Sequence, residues 1–516
     1  MRKHIPFAAF AFAALAPLAN FAGTGAVKAA GDENSAGAAA AGATAGSASA
    51  AFAPAPDVKP LAYNPMLFGQ FIEHFHRQIY GGIFEPGSPL SNADGFRTDV
   101  ADALRELRVP IVRWPGGCFV SSYHWQDGVG PAAKRVPTLD KAWGVEDPNT
   151  FGTVEFVKWC RLIGAEPYIC TNAGTGTAEE MSDWVEYCNA RVGKFARMRA
   201  AHGYPEPLGV KYWSIGNENW GGHELGAKTV EEWGPLVRES AKLMRAVDPT
   251  IKLFAAATFH EGWTLPMLRA VGSRLNYIAV HAYYDGLHQR ERPAPFLDCM
   301  LRTDQPAREI AASLHILDKA RLRGRVKIAF DEWNLRGWHH PGFPGGGAGN
   351  PRIAERDKND NNATYTMADA LFSACFLNTL LRNAGDVEIG GFAPVVNTRG
   401  PLYAHKTGIV KRTTYHVLHL YANRLEKNIL PAAFNSPARL SRGRASTALV
   451  DAVLTCDNAR RRHVIAAVNK SPDAPATLAI PAEFFGKNNI PAKLTATVLD
   501  GDSPDAYNDV GNENRV

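Results

Sequence analysis

This chain of 516 residues has no G-x-G-x-x-G after its first predicted strand, so the usual dinucleotide-binding fingerprint is missing. Cysteine is sparse and odd in number: Cys118, Cys160, Cys170, Cys188, Cys299, Cys375 and Cys456 make seven, with no C-x-x-C among them. That spacing argues against a zinc site. It does not read as a disulfide framework either, since Cys160, Cys170 and Cys375 sit among apolar neighbours, where a free buried thiol is the expected state. Charge of one sign is not concentrated anywhere. The densest basic cluster, 459–463 (ARRRH), is too short to mark a nucleic-acid or acidic-surface partner and reads as a solvated turn. After the first thirty residues no stretch of about 18 consecutive apolar residues occurs, so no membrane-spanning helix is expected there.

The N-terminus carries Arg2, Lys3 and His4, an apolar run over 6–21, and small residues with Val27 and Ala29 spaced as for signal peptidase. Residues 1–30 are therefore expected to be a secretory signal, and the protein to be secreted or periplasmic, with no membrane contact after cleavage. Cleavage would take three basic residues and no acid from totals of 56 and 51, leaving a nearly neutral protein. Residues 31–56, mostly Ala, Gly, Ser and Pro, are expected to form a mobile linker.

From 57 to 420, eight strand-like segments (67–72, 111–114, 166–171, 210–215, 252–257, 277–281, 326–330 and 391–396) alternate with helical patterns (97–107, 153–163, 178–198, 230–247, 265–271, 306–322 and 362–382). This α/β alternation predicts a (β/α)8 TIM barrel rather than an open doubly wound sheet. From 421 to 516 short alternating runs at 448–455, 463–468, 476–480 and 494–499 predict a C-terminal antiparallel β-sandwich. The chain stops at Val516 in the polar stretch 502–516, which does not read as the end of a fold.

Two stretches carry the chemistry. Residues 211–222 (KYWSIGNENWGG) read as a strand running into Asn217, Glu218 and Asn219, and residues 326–334 (VKIAFDEWN) deliver Glu332 in the same way. In a barrel the C-terminal strand ends form one mouth. Glu73, His74, Arg113, Cys118, Asn172, His281, Tyr283, Asn334 and Asn397 fall at such ends as well. Two carboxylates at one mouth can perform retaining glycoside hydrolysis at a separation of about 5–5.5 Å, one protonating the leaving oxygen and the other attacking the anomeric carbon. Glu218 is the expected proton donor, with Asn217 on the adjacent sugar hydroxyl. Glu332 is the expected nucleophile, with Tyr283 donating to its carboxylate.

Asp331 competes with Glu332. On a regular strand the two face opposite sides, and spacing does not choose between them. Arg113, in VRWPGG, is either a carboxylate orienter or half of a structural ion pair. Trp114, Trp125, Trp220 and Trp333 are candidate sugar-stacking platforms. The adjacent His339 and His340 lack further ligands, so no metal site is expected, and the chemistry calls for no cofactor.

Taken in order, 68–74 (FGQFIEH), 79–90 (IYGGIFEPGSPL), 112–131 (VRWPGGCFVSSYHWQDGVGP), 164–189 (GAEPYICTNAGTGTAEEMSDWVEYCN), 211–222, 279–286 (AVHAYYDG), 329–334 (AFDEWN) and 395–403 (VVNTRGPLY) resemble glycoside hydrolase family 51. The resemblance implies a (β/α)8 barrel followed by a jelly-roll β-sandwich. It also implies a retaining, exo-acting α-L-arabinofuranosidase that takes terminal arabinofuranosyl groups from arabinan, arabinoxylan or their oligosaccharides, often as a homo-oligomer. Carried over residue by residue, Glu218 matches the acid/base and Glu332 the nucleophile, which favours it over Asp331. Glu73, Arg113, Cys118, Asn217 and Tyr283 match the arabinose subsite, and His281, Trp333 and Asn397 are counted with them as substrate-binding.

This sequence departs from the family's pattern in three places. Pro394 stands where many members have Gln, so that sugar contact is either lost or supplied by Asn397; the loop 337–350 is long; and the chain stops before the family's last sandwich strand or strands, which leaves it either truncated or with a sandwich closed differently. Within the same chemistry the alternative is an endo-acting β-1,4-glucanase or xylan-active hydrolase, which an open groove would favour. The alternative of another class is a catalytically silent sugar-binding protein, against which the two carboxylates argue.

Overall fold

Eight short, largely apolar strands pair in parallel and close into a barrel in the computed structural model, which describes residues 7–14, 48–53, 58–287, 292–337, 360–481, 484 and 495–516. They are β1 (Gln70–Phe71), β2 (Ile111–Trp114), β3 (Glu166–Thr171), β4 (Tyr212–Ile215), β5 (Lys252–Ala256), β6 (Tyr277–Asp285), β7 (Lys327–Arg336) and β8 (Val387–Phe392), each beside the next, with β8 returning to β1. Buried on both faces, such strands can be apolar without alternation. Helices return the chain between them and begin where local chemistry says they should. Thr177 Oγ1 accepts the Glu180 N–H at 3.1 Å to cap Ala178–Asn189, and Thr229 with Glu232 forms a capping box on Val230–Val247. The helix expected over 178–198 is two, Ala178–Asn189 and Lys194–Ala201.

The first and last strands differ from expectation. Of the segment 67–72 only Gln70–Phe71 is strand, β1, while Leu67 and Phe68 end the 3₁₀ turn Pro65–Phe68. The eighth strand is Val387–Phe392, not 391–396, because Gly391 is its interior rather than its start. A Cβ at Gly391 would collide with the Asp331 carbonyl oxygen, so glycine here marks a close approach of β8 to β7.

Inside the barrel, Tyr168, Phe254 and Tyr277 stack in sequence with centroids 4.4 Å apart. With Ile111, Ala329 and Ile389 they form an apolar floor, so the polar strand ends open only at the opposite mouth.

The C-terminal unit is a β-sandwich, as expected. Its larger sheet runs in the order Thr495–Gly501, Phe7–Ala14, His463–Asn469, Val450–Cys456, Asn428–Leu430 and Leu61–Ala62. Phe7–Ala14, inside the expected signal segment, pairs antiparallel with both of its neighbours. A smaller sheet holds Phe434–Asn435, Ala48–Phe52 and Ala476–Ala479. The end of the expected linker is therefore a strand, because Phe52 gives an otherwise alanine-rich run an anchor, its ring centroid 4.9 Å from that of Phe434. Helix Met367–Arg382 is buried on almost every face. Asn378 Nδ2 and Arg382 Nη1 donate to Asp451 of the sandwich at 3.1 and 2.7 Å, locking the two units together. All seven cysteines are free, and among the described residues no helix is long and apolar enough to cross a membrane.

Candidate active site

Alternation along a regular strand would send Asp331 and Glu332 to opposite faces, but β7 is not regular. Ala279 of β6 pairs with Ala329, whereas His281 pairs with Glu332, so β7 carries one extra residue between the two pairings. This bulge turns both acids toward one cation and corrects the expectation that only one could face the mouth. Arg113 Nε lies 3.3 Å from Asp331 Oδ2 and Arg113 Nη1 lies 3.0 Å from Glu332 Oε2.

The two acids then divide by depth. Asp331 accepts from the floor residue Tyr168 through its hydroxyl at 2.8 Å. Burial would raise its pKa, but His281, Arg113 and Tyr168 outweigh that and hold it below the ordinary carboxylate range. Glu332 lies higher and accepts from the Tyr283 hydroxyl at 2.5 Å. Arg113 is thus both orienter and ion-pair partner, and its Nη2 also donates to Asn217 Oδ1 at 2.7 Å. Asn217 Nδ2 in turn donates to Glu224 Oε1 at 2.8 Å, and Ser121 Oγ donates to Glu224 Oε2 at 2.6 Å.

Glu218 follows β4 with φ 42°, a left-handed conformation that costs a non-glycine residue about 1–3 kcal/mol and is tolerated where surroundings enforce it. Its Oε1 is 2.8 Å from His281 Nδ1 and its Oε2 is 2.8 Å from His223 Nε2. Burial would raise the Glu218 pKa, yet the two imidazoles pull it far below normal. His281 is enclosed by acids, with Asp331 Oδ1 at 3.4 Å and Glu332 Oε2 at 3.5 Å. Burial alone would lower its pKa; Glu332, Asp331 and Glu218 push it up to about 10, so it is an imidazolium at neutral pH. One oxygen of Glu218 and one of Glu332 lie within 4.8 Å of each other.

The β1–β2 side closes the site. Glu73 Oε1 accepts the Phe119 N–H at 3.0 Å and Trp143 Nε1–H at 2.9 Å, and burial pushes its pKa up to about 8. Gly116, at φ 105°, packs on Glu73 so closely that any Cβ would strike it. Cys118 is half-buried beside Glu224, and burial with the neighbouring carboxylates keeps it a thiol. Two trios, Cys118 with His223 and Glu224, and Glu218 with His281 and Glu332, bring donor atoms within 4.8 Å. Their carboxylates and imidazoles already bond one another or Ser121, Asn217, Arg113 and Tyr283, and the thiol keeps its proton. That donor set suits proton handling rather than a metal.

Of the residues expected at the site, Glu73, Arg113, Cys118, Asn217, Glu218, His281, Tyr283 and Glu332 come together. Trp333 does not. It faces outward from β7 and stacks on Phe376 at 3.9 Å, as the residue beside an inward Glu332 must. Asn397 is also corrected. At φ 56° its Nδ2 donates to Arg77 O at 2.6 Å and its Oδ1 accepts the Ala404 N–H at 2.8 Å, so its amide holds a loop. Trp114 and Trp125 are core, and Trp220 stands exposed at the rim. His74 bonds Asp147 and Trp114, and Asn172 and Asn334 bond backbone. His339, His340 and nearly all of the 337–350 loop lie outside the described residues.

Sequence reasoning missed Trp143, His223, Glu224 and Arg399. His223 and Glu224 directly follow the GNENWGG stretch and were legible as a second polar pair. Arg399 lies over the Tyr283 ring at 4.9 Å, with Nη2 3.4 Å from the hydroxyl. Its buried Nε and Nη1 lack partners among the described residues.

Known proteins match along most of the chain. A family model described as the α-L-arabinofuranosidase 1 domain matches residues 103–302, and one described as the α-L-arabinofuranosidase C-terminal domain matches 331–516. Alpha-L-arabinofuranosidase C of Emericella nidulans is 38% identical over 390 residues, covering 71% of this chain and 73% of that protein. An intracellular exo-α-(1→5)-L-arabinofuranosidase of Halalkalibacterium halodurans is 35% identical over 414 residues, covering 78% and 81%. The crystal structure of the GH51 arabinofuranosidase from Xanthomonas axonopodis pv. citri superposes with a TM-score of 0.78 at 28% identity, covering 91% of this chain and 94% of that one.

Proposed function

Because the chain belongs to glycoside hydrolase family 51, the α-L-arabinofuranosidase family, we propose that it releases terminal L-arabinofuranosyl groups by a retaining double displacement between Glu218 and Glu332. The observation that carries this reading is the approach of one oxygen of each carboxylate to within 4.8 Å, with His281 Nδ1 2.8 Å from Glu218 Oε1 and 3.5 Å from Glu332 Oε2. Retaining enzymes need about 5–5.5 Å between the carboxyl groups, whereas inverting enzymes need about 6.5–9.5 Å to admit a water.

Glu332, held by Arg113 and Tyr283, attacks the anomeric carbon while Glu218 gives a proton to the departing oxygen. Water then attacks the arabinosyl-enzyme, Glu218 takes its proton, and Glu332 leaves. Asn217, fixed by Arg113 and Glu224, faces the sugar hydroxyl beside the reacting carbon, where a hydrogen bond strengthens as positive charge develops. The wall of Glu73, Phe119 and Trp143 supports exo-action on one terminal sugar.

The substrates are α-1,5-linked arabinan, arabinoxylan and their oligosaccharides, and the working unit is a homo-oligomer, which light scattering checks. Export follows from the leader over 1–30, and residues 7–14 then leave the sandwich sheet on cleavage. N-terminal sequencing of the exported protein tests this, since a chain that still begins before residue 15 contradicts it.

The activity test is hydrolysis of p-nitrophenyl α-L-arabinofuranoside by wild type, Glu218→Ala and Glu332→Ala. Wild type is active, both variants are far slower, and azide restores Glu218→Ala with formation of the α-azide. A folded but inert wild type overturns the reading.

A further inference from the structure

An acid catalyst must carry a proton, yet Glu218 is held ionised with both oxygens occupied. The two imidazoles on it are not equivalent. His281 is buried and caught between Asp331 and Glu332, so it cannot leave. The His223 ring is half exposed, sits on the solvent side of Glu218 Oε2, follows Gly221 and Gly222, and has the exposed Trp220 beside it at 5.9 Å. An aglycone approaching Oε2 from solvent meets this ring first.

We propose that His223 is a positioning residue that stores the proton Glu218 delivers, the two side chains forming one singly protonated unit facing the leaving group. The inference rests on Glu218 being the acid/base. An imidazolium bonded to a carboxylate has the same net charge as a neutral imidazole bonded to a carboxylic acid, and one proton shift along the 2.8 Å hydrogen bond interconverts them.

As substrate enters, the Nε2 proton passes to Oε2 and neutral His223 swings toward solvent. The same proton moves to the glycosidic oxygen as the C–O bond breaks and the Glu332–carbon bond forms. In the second half a water oxygen bonds to the anomeric carbon as the ester to Glu332 breaks, Glu218 takes the water's proton, and His223 re-forms its bond and takes that proton back onto Nε2. No further reagent is consumed.

The surroundings favour keeping that proton. Glu224 Oε1 stands 3.8 Å from His223 Nε2. The Cys118 thiol faces the pair from the turn after β2, Glu332 from β7 and His281 from β6. The hydrogen bond to Glu218 raises the His223 pKa against the effect of burial, and the charges of Glu218, Glu224 and Glu332 add to it.

The test is kcat/KM against pH for wild type, His223→Gln, His223→Phe and Glu218→Ala on two substrates. These are p-nitrophenyl α-L-arabinofuranoside, whose leaving group needs little protonation, and α-1,5-arabinobiose, whose leaving group needs it fully. Both His223 variants are expected to move the alkaline limb for arabinobiose to lower pH and to lose about tenfold or more on it near pH 8, with a much smaller loss on the aryl substrate. An unmoved alkaline limb, or equal losses on both substrates, overturns the proposal. If Glu218→Ala still hydrolyses arabinobiose like wild type, the acid/base assignment falls and this inference with it. If Glu218→Ala fails on arabinobiose while the His223 variants match wild type, only the role of His223 falls.

Discussion

Arg113 and Glu332 lie 219 residues apart in sequence and 3.0 Å apart across the barrel mouth, Nη1 donating to Oε2. The same guanidinium serves Asp331 and Asn217, so it fixes the nucleophile, its buried neighbour and the sugar-binding amide together. Removing it leaves two buried carboxylates short of a cation. Arg113→Met is expected to lower kcat by at least about 100-fold and to cost about 3–5 kcal/mol of stability. Arg113→Lys keeps the charge without the planar fork and is expected to fall between. Steady-state kinetics and denaturant unfolding check both.

Glu73 gives a pH prediction. Its native pKa lies near 8 against an ordinary 4.5, so between those values the folded protein binds a proton that the unfolded chain has lost. Its contribution to stability is therefore complete below about pH 4.5 and is lost as pH rises through 8. At about 1.4 kcal/mol per pKa unit the loss is on the order of 5 kcal/mol. Glu73→Gln keeps a carbonyl for the Phe119 and Trp143 N–H groups but has no such slope. Its stability relative to wild type is expected to be higher at pH 8.5 than at pH 5 in urea unfolding, while its KM for the arabinoside rises.

A second buried network holds the rim. Arg336, at the end of β7, donates to both oxygens of Asp369 at 2.8 Å and to Asp285 at 2.8 Å. Arg336→Met leaves both acids unpaired and is expected to cost about 3–5 kcal/mol, measured as a lowered Tm. Adding Asp369→Asn removes one orphan charge and is expected to recover part of the loss.

The barrel was legible because strands buried on both faces must be continuous apolar runs, and Glu218 because a Gly-Asn-Glu-Asn cluster is poor core material. Part of what failed depends on pairing between distant segments. The bulge that brings Asp331 and Glu332 to one arginine exists only in the register of β7 against β6. The role of Asn397 depends on which carbonyl its loop meets, and that is Arg77 O, 320 residues away. Trp333 was misplaced although period 2 beside an inward Glu332 already pointed it outward. The strand at Ala48–Phe52 hid in a composition that normally marks a linker.

The measurement that tests the double displacement most directly is trapping of its intermediate. Glu218→Ala, which retains the nucleophile but protonates poorly, is mixed with 2,4-dinitrophenyl α-L-arabinofuranoside, quenched in acid and digested for peptide mass mapping. The expected result is one arabinofuranosyl group esterified to Glu332. An adduct on Asp331, or rapid turnover with no covalent species and inverted product, would contradict the account.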